Sequence, residues 1–134
     1  MKAIPLVRAS VILPAVQFLD RIGAPTERLM QRVNLSSGIL RDPEALIPLS
    51  QCLALGEVAA RSEGLENLGV LVSQQTQFSN IGAFGALACR SLTLHDLLHK
   101  ILKLHKAFNS GEEIWLTEEN DYSDPKWIMR KSHR

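Results

Sequence analysis

The chain has 134 residues, 46% of them hydrophobic and 22% charged, a length that fits one domain able to bury roughly two thirds of the surface its unfolded chain exposes. A formal net charge of +1 gives no bulk attraction to nucleic acid or anionic membrane, so any such partner would need a local patch. Cys52 and Cys89 stand alone, without CxxC or CxxH spacing, and read as small buried hydrophobes in a reducing cytoplasm rather than as a disulfide or a metal site.

In chain order, Ile12, Ala15, Val16, Leu19 and Ile22 predict a first helix over 11–22, with Pro14 tolerable only near its first turn and Gly23 ending it. The run between Arg8 and Asp20 is too short to cross a bilayer, and no cleavable signal is visible. Pro25 and Thr26 open a short second helix bearing Leu29, Met30 and Val33. Residues 34–48, punctuated by Ser36, Gly38, Pro43 and Pro48, read as irregular, with single turns at Gly38–Arg41 and Pro43–Leu46. Ser50 is the expected cap of a third helix with the stripe Cys52, Leu53, Gly56, Ala59 and Ala60, ending near Gly64. Leu68 to Val72 is a short apolar element that fits helix or strand. The whole stretch from Asn67 to Cys89 is uncharged, yet its Ser, Gln, Thr and Asn content is too polar for a membrane span.

The most informative part is 81–108. Ile81, Phe84, Leu87 and Ala88 form one apolar face, while Gly82, Gly85, Ala86 and Cys89 keep the helix surface thin. Each helical glycine costs roughly 1 kcal/mol against alanine, and the spacing of these small residues predicts a neighbouring helix at close range, with a ligand pocket as the other reading. Leu94, Leu97, Leu98, Ile101, His105 and Phe108 then recur at intervals of three and four, the stripe of an amphipathic helix. Thr93 stands where its hydroxyl can cap that helix, and Asp96 places negative charge at its positive end. Gly82, Gly85, Thr93, Leu97 and Leu98 are therefore the expected structural residues.

After Asn109, Ser110 and Gly111 the pattern changes. Ile114–Thr117 and Trp127–Met129 read as strands of a hairpin, flanked by six acidic residues between Glu112 and Asp124 and four basic ones from Lys126 to Arg134, most of them expected in solvent. Both strands carry Trp, which suggests packing on the helices or further strands. The expected class is mainly α, a compact multi-helix domain over 1–111 followed by a short C-terminal β-hairpin, or the start of a small sheet, over 112–134.

No local spacing suggests a catalytic triad, a phosphate-binding glycine loop or paired carboxylates, so no catalytic residue, metal or cofactor is assigned and an enzyme is not expected. His95 and His99 have the one-turn spacing of metal ligands, but Lys103 and Lys106 make their face cationic and a solvent-facing role is expected. His105, on the apolar stripe, reads as a core-edge histidine with its hydrogen bonds satisfied. Residues 86–106 mimic a helix-turn-helix, yet Leu94, His95, Asp96, Leu97 and Leu98 stand where a recognition helix needs groups for base edges.

Taken together, Ile4-Pro5, Ile22-Gly23, Ile47-Pro48-Leu49, Leu68-Gly69-Val70, Ile81-Gly82-Ala83-Phe84-Gly85-Ala86 and the run from Ser91 to Leu98 resemble the N-terminal, mostly helical arabinose-binding-like domain of AraC-type transcriptional regulators. The resemblance implies a domain that senses a small-molecule effector or forms a homodimer, with promoter DNA contacted through a C-terminal helix-turn-helix domain expected beyond Arg134. The sequence then reads as one domain of a truncated regulator, with no membrane partner. Nothing in the sequence selects a sugar, because no cluster of aromatics and carboxylates is visible. Periodicity alone supports a more general alternative, a helical protein-interaction module unconnected to transcription.

Overall fold

A computed structural model describes residues 3–119 and 126–133. Among these, six α-helices and two antiparallel strand pairs make a mainly α fold with short β elements, as expected. The helices are α1 (Leu13–Arg21), α2 (Thr26–Arg32), α3 (Leu49–Glu63), α4 (Leu68–Gln75), α5 (Gly82–Cys89) and α6 (Leu94–Phe108). The strands are β1 (Leu6–Arg8), β2 (Leu46–Pro48), β3 (Glu112–Glu119) and β4 (Lys126–His133). No helix among the described residues is long and apolar enough to span a membrane.

The core gathers Val16 and Leu19 of α1, Leu29 and Met30 of α2, Leu55 and Ala59 of α3, Leu68 of α4, and Val7 and Ile47 of the first strand pair. α1 packs on α2 and α4, and α3 on α2 and α4. β1 ties this core to the rest of the molecule. On one side it pairs with β2, Val7 opposite Ile47; on the other, Val7 bridges to Asn109 and Ser110 N donates to the Leu6 carbonyl at 2.9 Å. That second contact holds the end of α6 against the core. α5 packs on α6 and on a 3-10 turn at Phe78–Asn80.

Several expectations change. The first helix begins at Leu13, after a 3-10 turn at Ala9–Val11, so Pro14 lies in its first turn, where its missing N–H is not needed. In the stretch 34–48 the turn expected at Gly38–Arg41 is a 3-10 helix over Ser37–Arg41, whereas the turn expected at Pro43–Leu46 ends earlier and Leu46–Pro48 is a strand that was not expected. Three-residue strands are too short for alternation to show, and the partner strand lies far away in sequence. Ser50 is not the cap of α3, which starts directly after Pro48 with no side-chain cap. Its end is as expected: Gly64 adopts φ +65 and Leu65 N reaches the Ala60 carbonyl at 2.8 Å, a closure that favours glycine. Within α3, Leu53 is 66% exposed and Leu55 points inward instead; the run Cys52-Leu53-Ala54-Leu55 is apolar on every face, so periodicity could not fix its phase. The element at Leu68 is a helix. β3 and β4 pair with Leu116 opposite Met129 and Glu119 opposite Lys126; the connecting loop and the Trp127 side chain lie outside the described residues, and Trp115 is 41% exposed.

Candidate functional site

Arg8, the last residue of β1, turns its partly buried guanidinium towards α6. Its Nε donates to the Ala107 carbonyl at 2.9 Å and its Nη1 to the Glu44 carbonyl at 2.8 Å. Glu44 directs its own carboxylate elsewhere: Oε1 accepts from Ala83 N, in the first turn of α5, at 2.9 Å. A helix N-terminus presents unpaired N–H groups and the positive end of the macrodipole, so a carboxylate is favoured there. α5 has no side-chain cap of its own from Ile81; the cap comes from a residue 39 positions earlier.

Gly82 makes this contact possible. Its φ of +54 disfavours any L side chain, and a Cβ would stand 2.7 Å from Glu44 Oε1 and 2.9 Å from Ser10 Oγ. Ser10 Oγ is itself buried without a hydrogen-bond partner among the described residues.

Around these polar groups, Phe84, Leu87, Leu104, Ala107 and Phe108 wall a cleft of ≈ 180 Å³. Phe84 and Phe108 stack with centroids 4.9 Å apart at 17°, and Phe78 meets Phe84 edge-on at 5.7 Å. The two hydrogen bonds use two of the five donors of a guanidinium, both to neutral carbonyls. The ion pairs seen among the described residues include Arg61–Glu57 and Lys100–Asp96 but none of Arg8 or Glu44, so neither is neutralised by a protein counter-charge there. A partly buried cation and an exposed carboxylate on one mainly apolar cleft are the convergent polar groups expected of a small-molecule site. The sequence showed no cluster of aromatics and carboxylates; the fold assembles one from Glu44, Phe84 and Phe108.

Three other depressions serve less well. A larger polar cleft of ≈ 320 Å³ lies between α1 and the end of α4, lined by Leu13, Pro14, Gln17, Arg21, Gln75, Thr76 and Asn80. Its Arg21 is already bonded to Gln75, and Gln17, Arg21, Gln75 and Asn80 are all exposed, so water reaches each of these polar groups. A groove of ≈ 250 Å³ between α1 and α3 is apolar, and Asn109, at its end, spends its Oδ1 on Gly111 N at 3.0 Å. A shallow apolar surface joins Phe78, Cys89, Leu92, Leu94 and Leu97, with Leu92 97% and Leu94 70% exposed.

The residues singled out from sequence lie as follows. Gly85 is buried, but against the backbone carbonyl of Phe78 in the 3-10 turn, not against a neighbouring helix; a Cβ there would collide with that oxygen. Neither glycine faces the helix–helix groove expected for it. Thr93 Oγ1 accepts from Asp96 N at 3.1 Å at the start of α6. Asp96 pairs with Lys100 at 3.1 Å, and hydrogen bonding to that ammonium holds its carboxyl below the usual value. Leu97 and Leu98 are half-buried. His95 and His99 are exposed, with ring centroids 4.1 Å apart. His105 is buried and only half satisfied: Nδ1 lies 2.9 Å from the Leu102 carbonyl, while Nε2 has no hydrogen-bond partner among the described residues. Cys52 is partly buried and its thiol is pushed up to about 11 by desolvation, whereas Cys89, expected inside, is exposed.

Sequence reasoning missed Arg8 and Glu44. Each is a single charged residue in a short or irregular segment, and no periodicity marks them. Among curated proteins none matches this chain. Residues 23–131 match the family model described as the arabinose-binding domain of AraC transcription regulator, N-terminal.

Proposed function

The chain belongs to the family of N-terminal arabinose-binding domains of AraC transcription regulators, and from that premise we propose that it senses a small-molecule effector in the cleft between Arg8, Glu44, Phe84 and Phe108. The observation that carries this reading is the Arg8 guanidinium, held by two carbonyls beside stacked phenyl rings and unmatched by a carboxylate among the described residues. The cleft is built by β1, the Glu44 loop, α5 and α6 together, so a ligand bound there would fasten α5–α6 to the core and change how that pair is held. The domain acts on transcription rather than on covalent bonds, in a cytoplasmic regulator whose promoter contacts are made by a separate DNA-binding domain. The exposed Leu92 and Leu94 favour a second role for the same helix pair as the surface through which two copies associate, since exposed leucines grouped in one patch mark interaction surfaces.

Filling the cleft from its rim tests the effector reading. Ala107 is exposed on α6 and leucine is a good helix former, so Ala107→Leu should occupy the cleft without disturbing the core. Joined to an AraC-type DNA-binding domain and read through a promoter reporter, the variant should be folded and unresponsive to the effector. A full response from Ala107→Leu would contradict the assignment of the cleft.

A further inference from the structure

The charges of the cleft also specify what enters it. Arg8 and Glu44 meet at residue 44, yet they do not neutralise each other: the guanidinium takes the Glu44 main-chain carbonyl, and the carboxylate is drawn to Ala83 N at the head of α5. Opposite charges thus stand apart on one small cleft, with three guanidinium donors and one carboxylate oxygen lacking protein partners among the described residues. A simple anion would satisfy Arg8 but would face the Glu44 carboxylate; a simple cation would satisfy Glu44 but would face the guanidinium.

The remaining walls are hydrocarbon: Phe84, Leu87, Leu104, Ala107 and Phe108. A pentose would set its ring of hydroxyls against these side chains, where each unpaired hydroxyl loses hydrogen bonds to water without replacement. The volume of ≈ 180 Å³ lies below the roughly 300–1,000 Å³ of sites for drug-sized ligands.

Building on the assignment of this cleft as the effector site, we infer that its ligand is a small zwitterion with a hydrocarbon body, an α-amino acid with an aliphatic side chain, whose carboxylate meets Arg8 and whose ammonium meets Glu44. Arg8 supplies the planar donor fork suited to a carboxylate. The side chain of the ligand lies along Phe84 and Phe108.

Calorimetric titration of the 134-residue chain with four probes tests this: L-leucine, isocaproate (the same skeleton without the amine), isoamylamine (without the carboxylate) and L-arabinose. Leucine should bind, and each analogue that lacks one charge should bind about tenfold or more weakly, the scale of a lost charge-assisted hydrogen bond. Glu44→Gln keeps an oxygen able to accept from Ala83 N while removing the charge, so it should preserve the fold and weaken leucine by a similar factor; Arg8→Gln should do the same. Absence of leucine binding, or isocaproate or arabinose binding as well as leucine, overturns the inference. Ala107→Leu separates the two levels. If leucine fails and Ala107→Leu blocks the probe that binds instead, the cleft stands and only the ligand class falls; if binding of any probe is unchanged by it, the cleft falls too.

Discussion

Two glycine-to-alanine substitutions should move stability in opposite directions, because the two glycines differ only in what surrounds them. Both Gly85 and Gly56 lie inside helices, α5 and α3, where alanine is intrinsically favoured by about 1 kcal/mol. At Gly56 a Cβ would meet nothing within 4 Å, so Gly56→Ala should realise most of that gain, about 0.5–1 kcal/mol. At Gly85 the new Cβ would collide with the carbonyl oxygen of Phe78, with Ile81 Cβ a further 3.3 Å contact. The obstacle is backbone, so the 3-10 turn itself must shift, and overpacking of that kind costs about 1–3 kcal/mol. The upper part of that range applies, leaving Gly85→Ala destabilised by about 1–2 kcal/mol after the helix gain is subtracted. Thermal melts should show Gly56→Ala rising and Gly85→Ala falling, by about 3–5 °C per kcal/mol at this chain length. Equal shifts of the same sign would refute the reasoning, and an unchanged melt for Gly85→Ala would show that the turn yields freely.

Leu98 is half-buried, so Leu98→Ala should cost about 1–2 kcal/mol in denaturant melts, below the 2–5 of a fully buried leucine, while Lys103→Ala, on an exposed position, should stay within about 0.5 kcal/mol. The Asp96 carboxyl should titrate below its ordinary value of 3.8 because of Lys100. A depressed carboxyl adds stability above the unfolded-state value and loses it as pH falls through the folded one, but at this exposed site the effect is small; NMR titration should show the value returning towards normal in Lys100→Ala or at high salt. With a thiol-specific reagent at mildly alkaline pH, exposed Cys89 should react first and Cys52, its thiol pushed up to about 11, should lag; comparable rates would contradict the packing around Cys52.

What could be read from the sequence was local. The α6 stripe and the Thr93 hydroxyl at its start depend on residues within a few turns of one another, and both are where the pattern put them. Depth of burial was not legible: Leu94 belongs to the stripe yet is 70% exposed. The β1–β2 pair was missed because each strand is three residues long, too short for a period to register. The cleft was invisible for a related reason. Its charges come from the end of one such strand and from a loop, and its rings from two different helices, so only the fold brings Arg8, Glu44, Phe84 and Phe108 together. Gly82 and Gly85 did signal a close approach, but the sequence could not say that the approaching groups were a carboxylate and a backbone carbonyl.

The most direct test of the central claim is a crystal structure of the domain grown with the effector that switches its regulator. The account predicts ligand density in the cleft lined by the stacked Phe84 and Phe108, in hydrogen-bond contact with the Arg8 guanidinium and the Glu44 carboxylate. Density in the polar cleft of Gln17, Arg21, Gln75 and Asn80, with the Arg8 cleft empty, would contradict it.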